Sequence, residues 1–232
     1  MAFVTGRLAL LSALLLAALP VASPSAQSPK VDTALVLAID ISASVDADEY
    51  RLQMTGLAAA LQSPSVLEAI QSGPEKRVAI TVLQWSGTKS QHIVVPWTIV
   101  EDDQSVLELG LAVLQTKRAV EGGATSLSAA LVQATRLFAK APRATRRVID
   151  LSADGINNIG PDLEDARLAA LVDGITVNGL AIANEWPRLQ EYLETRVIAG
   201  TGAFAVTAKS YTDYGAIMQK KLVREIQAPG SS

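Results

Sequence analysis

From about residue 32 to residue 226, short apolar runs of strand length alternate with amphipathic stretches of helix length. The apolar runs predict strands over 33–40 (TALVLAID), 77–86 (RVAITVLQWS), 92–100 (HIVVPWTIV), 146–152 (RRVIDLS), 175–183 (ITVNGLAIA) and 203–208 (AFAVTA). Helices are predicted over 46–62, 103–118, 126–140, 161–173, 188–198 and 211–226. Tyr50, Met54, Leu57 and Leu61 recur at helical spacing in the first of these, as do Leu127, Leu131, Ala134 and Phe138 in the third. Pro161 falls in the first turn of the fourth helix, where its missing N–H costs nothing. Most of the strands have no polar face, the mark of strands buried on both sides, so the pattern predicts a mostly parallel sheet between two helical layers. Residues 92–100 follow 77–86 after only GTKSQ, too short for a parallel crossover. That pair is therefore an antiparallel hairpin at the sheet edge, and Pro96 suits an edge strand.

The first 26 residues do not share this alternation. Arg7 precedes an apolar stretch at 8–19, Pro20 breaks it, and the small-residue segment VASPSAQ follows. This is the pattern of a secretory signal peptide cleaved between Ser23 and Gln27, and the apolar run is shorter than a bilayer span requires. The expected organisation is a signal peptide over 1–26, one α/β domain over 30–227 and a flexible tail over 228–232. The expected location is the bacterial periplasm or the medium, with no stable membrane span once the leader is removed.

Composition narrows the chemistry. The 232-residue chain is 49% hydrophobic and 19% charged, as expected of a packed domain. Its net charge of −3, without long basic runs, gives no basis for nucleic-acid binding. There is no cysteine, so disulfides, thiolate metal sites and cysteine nucleophiles are excluded. With one histidine, His92, a histidine-rich zinc site is impossible and any Ser/His/Asp triad would rest on that residue.

In open α/β sheets, ligands bind beyond the carboxyl ends of the strands. Asp40-Ile41-Ser42-Ala43-Ser44 follows the first strand, Gly122-Gly123-Ala124-Thr125-Ser126 precedes the helix at 126, and Ala153-Asp154-Gly155 follows the strand at 146–152. Two carboxylates and several hydroxyls thus share one sheet edge. Residues two apart in an extended or turning segment point the same way, so Asp40, Ser42 and Ser44 converge. Hard oxygen donors suit Mg²⁺, Mn²⁺ or Ca²⁺ rather than zinc or copper. Two carboxylates balance one divalent ion and neutral hydroxyls fill other positions. One outward position is left for an acidic group from a partner.

Asp40-x-Ser42-x-Ser44, Thr125 and Asp154-Gly155 together resemble the metal-ion-dependent adhesion site of von Willebrand factor A domains. The segments VLAIDISASVD, VLQWSG, VPWT, GGATSLSAAL, RRVIDLSADGINN, ITVNGLAI and VIAGTGAF look like a bacterial exported family of such domains known as DUF1194. The resemblance implies a three-layer, Rossmann-like α/β sandwich with six strands, one of them an antiparallel edge strand. It implies a divalent ion, Mg²⁺ first, contacted directly by Ser42, Ser44 and Thr125 (Thr125 once a ligand is engaged), with Asp40 and Asp154 acting directly or through water. Ala153 departs from the glycine expected in an SGDG turn, without touching the ligand set.

Other residues carry weaker signals. Asp150, in the middle of an apolar strand, needs partners if buried, either as support for the site or as a satisfied core acid. Asn157 and Asn158 either line the site rim or cap the loop before the next helix. Trp85 and Trp97 read as packing residues, His92 as an edge residue, and Asp46, Asp48 and Glu49 as the acidic first turn of a helix. Gly122-Gly123 reads as a turn that places Thr125, since no phosphate-loop motif accompanies it. The function expected is a non-enzymatic, metal-dependent module that binds a carboxylate of a partner protein. A Mg²⁺-dependent hydrolase or phosphatase is the alternative, although such enzymes need a second acid where Ser42 stands. A structural subunit with a purely stabilising metal is a third.

Overall fold

A computed structural model describes residues 1–2 and 29–227. The expected leader and tail lie outside the described residues, except for Met1 and Ala2. Six strands form one sheet: β1 (Val31–Asp40), β2 (Val78–Trp85), β3 (Gln91–Val100), β4 (Ala144–Ala153), β5 (Thr176–Ile182) and β6 (Ala205–Ala208). Their order is β3-β2-β1-β4-β5-β6, parallel throughout except for β3, which pairs antiparallel with β2 at the edge. The sandwich with one antiparallel edge strand is therefore as the alternation predicted. Around Pro96 the β2–β3 register shifts, and the Thr81 hydroxyl takes the Val95 carbonyl at 2.7 Å.

β1 is the central strand, and alternate residues feed the two cores. Leu35, Leu37 and Ile39 pack beneath α1 (Ala47–Leu61), α2 (Pro64–Gln71), α3 (Asp103–Leu114) and α7 (Tyr211–Ile226). Val36 and Ala38 pack beneath α4 (Leu127–Leu137), α5 (Leu163–Val172) and α6 (Leu189–Arg196). Helices α1 and α7 touch backbone to backbone. A Cβ on Gly215 would sit 2.9 Å from the Gly56 Cα, and one on Gly56 would sit 3.0 Å from the Gly215 Cα.

The element bounds differ from the sequence expectation in four places. Helix α2 was not expected; it is short, and Pro64 in its first turn starts it. Helix α3 stops at Leu114, because residues 116–119 turn back over the sheet edge, where the Gln84 side chain bonds the Lys117 carbonyl and the Ala119 N–H. Helix α4 tightens into a 3₁₀ turn over Phe138–Lys140. Pro161 precedes α5 rather than opening it, because Asp162 takes the cap position and accepts the Asp165 N–H at 3.0 Å.

Both ends of the fold leave from the pole opposite the carboxyl ends of the parallel strands. Val31 opens β1 beside Arg143 (N–H to O, 2.8 Å), and α7 ends where Arg146, near the start of β4, donates to the Glu225 carbonyl at 2.8 Å.

Candidate metal centre

β1 and β4 are neighbours in the sheet, so the loops that follow them meet at one edge. Asp40 ends β1 with no exposed surface, and its Oδ1 accepts the Ser42 N–H at 2.8 Å. The Ser42 and Ser44 hydroxyls lie 3.2 Å apart, and the Ser44 hydroxyl donates to Asp154 Oδ1 at 2.7 Å. Thr125 enters from the loop before α4. Its Oγ1 would be 3.8 Å from a Cβ on Gly155, so it stands against the Asp154 turn. Ser44, Thr125 and Asp154 line one open cleft of about 230 Å³. The structure thus brings the five expected residues to one place.

The electrostatics of this cluster are those of two acids crowded into a buried site. Burial and then the facing Asp154 carboxylate push the Asp40 carboxyl up to about 8, against the pull of N–H groups from Ser42 and Asp154. Asp40 Oδ2 is buried with no hydrogen-bond partner. A buried, unpaired carboxylate oxygen costs stability unless a proton or cation meets it. Two carboxylates and three hydroxyl oxygens form a hard-oxygen set that fits a divalent ion. Among the described residues no three His, Cys, Asp or Glu side chains cluster in a way that could hold a metal by themselves. The hydroxyls of Ser42, Ser44 and Thr125 are therefore needed to complete the donor set.

Several supporting residues went unnoticed in the sequence. Arg118, its side chain only 10% exposed, donates to the Ile41 and Ser42 carbonyls at 3.0 and 2.9 Å and clamps the β1 loop. Gln53, in the interior of α1, donates to the Asp40 carbonyl at 3.0 Å. Tyr211, the first residue of α7, donates to Asp154 Oδ2 at 2.9 Å. Burial, and then the Asp154 and Asp40 charges, drive the Tyr211 hydroxyl far above its ordinary range, so it stays a donor. None of the three stands in a motif, and all act across long sequence separations, so no local pattern marked them.

The residues with weaker signals are also placed. Asn158 accepts the Thr125 N–H at 3.0 Å and lines the cleft, while Asn157 accepts the Ser128 N–H at 3.1 Å and holds the start of α4. Gly122 and Gly123 have φ of 67° and 120°, a backbone that favours glycine, and the Gly123 carbonyl accepts the Ala43 N–H at 2.9 Å. The turn therefore ties the Thr125 loop to the β1 loop. Asp46 caps α1 in a reciprocal box with Glu49. Asp150 does not reach the site; it pairs with Lys221 of α7 at 2.8 Å. Trp85 is fully buried, and Trp97 packs on Phe138 at 5.7 Å between ring centroids.

Solved structures share this fold at low sequence identity. Proximal thread matrix protein 1 from the mussel byssus, with a zinc-occupied MIDAS motif, superposes at a TM-score of 0.65 and 16% identity over 87% of this chain and 49% of that one. A von Willebrand factor type A protein from Catenulispora acidiphila matches at 0.59 and 20% identity, over 84% of this chain and 43% of that one. BatB from Bacteroides thetaiotaomicron matches at 0.57 and 16%, over 84% of this chain and 98% of that one. The chain spans about half the length of the mussel protein. No curated protein matches its sequence. The family described as "Protein of unknown function (DUF1194)" matches residues 30–230, and the chain belongs to that family.

Proposed function

We propose that the chain is a non-catalytic binding module. It holds one divalent ion, Mg²⁺ first with Mn²⁺ or Ca²⁺ in the same class, at Asp40, Ser42, Ser44, Thr125 and Asp154. Through that ion it engages a carboxylate of a partner protein. The observation that carries this reading is the buried, unpaired Oδ2 of Asp40 facing Asp154 beside an open cleft. The ion would supply the positive charge that two buried carboxylates lack. The protein's own residues fix its place: Arg118 and Gln53 hold the β1 loop, and Tyr211 and Ser44 orient Asp154. The zinc-occupied MIDAS motif of the mussel protein supports a divalent ion in a fold of this kind. A hydrolase reading gains nothing from the geometry, since Ser42 stands where a second acid would be needed and its hydroxyl lies against Ser44. The leader-like pattern of residues 1–26 supports a location outside the cytoplasm. Among the described residues no helix is long and apolar enough to cross a membrane.

Titration calorimetry with MgCl₂ and MnCl₂ tests the site. The parent protein is expected to bind one ion, and Asp40→Ala to weaken binding by about a hundredfold or more, since supporting residues alone are worth roughly 10–100-fold. Equal binding by both proteins would refute the assignment. A second experiment separates binding from folding. Asp40→Asn removes a charge the metal-free fold accommodates poorly, so in EDTA its melting temperature at pH 8 should lie above the parent's, while Mg²⁺ should no longer raise it.

A further inference from the structure

Resting on the metal-binding reading above, we propose that the partner segment presents a large apolar side chain close to its carboxylate, and that this side chain seats in a groove beside the metal cleft. The groove is about 550 Å³ and is formed by the turn after β4 and the start of α6, with Ile156, Trp186, Leu189 and Tyr192 among its walls. It shares Ile156 and Trp186 with the 230 Å³ metal cleft, so the two lie side by side against a common wall. A chain whose carboxylate enters the cleft passes over the groove as it leaves on that side.

The charges select the occupant. Glu185 lines the cleft on its Trp186 side and opposes a second acid there. The charged side chains of the groove, Arg188 and Glu191, pair with each other through two 2.8 Å hydrogen bonds. The groove therefore presents aromatic and aliphatic surface with its own charges matched, which a neutral apolar side chain fits and a charged one does not. Its volume falls in the range of pockets that bury such groups. Trp186 is 46% exposed, a large aromatic at the junction of cleft and groove, and tryptophan is over-represented where binding energy concentrates. Its neighbour Asn184 is tied to Glu49 at 3.1 Å, which anchors the loop that carries Trp186 to the start of α1.

The test is selection of phage-displayed random linear peptides on the full chain in Mg²⁺, with elution by EDTA. The peptides recovered should carry Asp or Glu with Phe, Trp, Leu or Ile within a few positions. For one such synthetic peptide, replacing the apolar residue by Ala should weaken binding about tenfold or more, and Trp186→Ser should cost the parent peptide a similar factor while costing the Ala-substituted peptide little. Peptides with an acid but no apolar preference, or affinity indifferent to Trp186→Ser, would overturn the groove assignment and leave the metal reading intact. Recovery of no EDTA-released peptide, or binding undiminished in Asp40→Ala, would overturn the metal reading and the groove with it.

Discussion

Lys221→Met should lower stability by about 3–5 kcal/mol near pH 8, and by much less near pH 5. Lys221 is buried in α7 with its ammonium 2.8 Å from Asp150 and 2.5 Å from Glu225, so one cation serves two buried acids. Around them, Asn178 donates to Glu225 at 2.8 Å, the Phe204 ring lies 5.4 Å from the ammonium, and the Arg146 guanidinium lies near enough to feel the Glu225 charge. Burial, and then the Asp150 charge, push the Glu225 carboxyl up to about 8, against the pull of Lys221. Methionine matches the lysine in length but leaves both acids without the ammonium. Glu225 would then be held still more firmly in its protonated form. Unfolded carboxyls release their protons near 4.5, so the cost of the substitution grows as the pH rises above that value. Urea denaturation at the two pH values measures the difference; a loss independent of pH would mean that Lys221 matters only as packing.

The same cluster sets a pH dependence in the unsubstituted protein. A carboxyl that holds its proton to about 8 when folded contributes stability that is full below about 4.5 and is lost as the pH rises through 8. The urea midpoint should therefore fall across that window. Asp40 pulls in the same direction when no metal is bound. The slope difference between the parent and Glu225→Gln, both in EDTA, isolates the share due to Glu225, and identical slopes would remove Glu225 from the account.

The second large effect is expected at the α1–α7 crossing. On helix propensity alone, Gly215→Ala should stabilise α7 by about 1 kcal/mol. The added Cβ would instead meet the Gly56 Cα at 2.9 Å, a backbone atom that cannot rotate away. Separating two packed helices costs about 1–3 kcal/mol, which exceeds the propensity gain, so Gly215→Ala should be net destabilising. Gly215→Val, bulkier and stiff in a helix, should cost about 3 kcal/mol. Thermal melting of both variants decides; a stabilised Gly215→Ala would show that the helices part easily. Since Tyr211, four residues upstream on α7, holds Asp154, a displaced α7 should also weaken Mg²⁺ binding, which calorimetry would register.

Much of the architecture could be read from the chain because doubly buried strands announce themselves as unbroken apolar runs. TALVLAID, RVAITVLQ and ITVNGLAI have little choice but to lie between two layers. The edge strand followed from a loop too short to cross over. The ligand candidates could be read because D-x-S-x-S is local, the Asp154 turn follows a predicted strand and the Thr125 turn opens a predicted helix. Residues whose role depends on distant partners gave no such signal. Arg118 closed a predicted helix as one more scattered charge, yet it spans 77 residues of sequence to the Ile41 carbonyl. Gln53 sits on the apolar face of an amphipathic helix, where a polar residue reads as noise until its carbonyl partner is known. Asp150 was ambiguous because a buried acid requires a partner without naming it, and its partner, Lys221, lies on the last helix. Helix α2 fell short of the length at which helical periodicity is distinct.

The two ends of the fold have a practical consequence. Val31 and the last turn of α7 both lie at the pole away from the cleft. A bead, sensor chip or cellular surface that grips the domain at either end is therefore a tail-on mounting. The cleft then faces the surrounding fluid, and neither attachment would compete with a ligand of the kind proposed above.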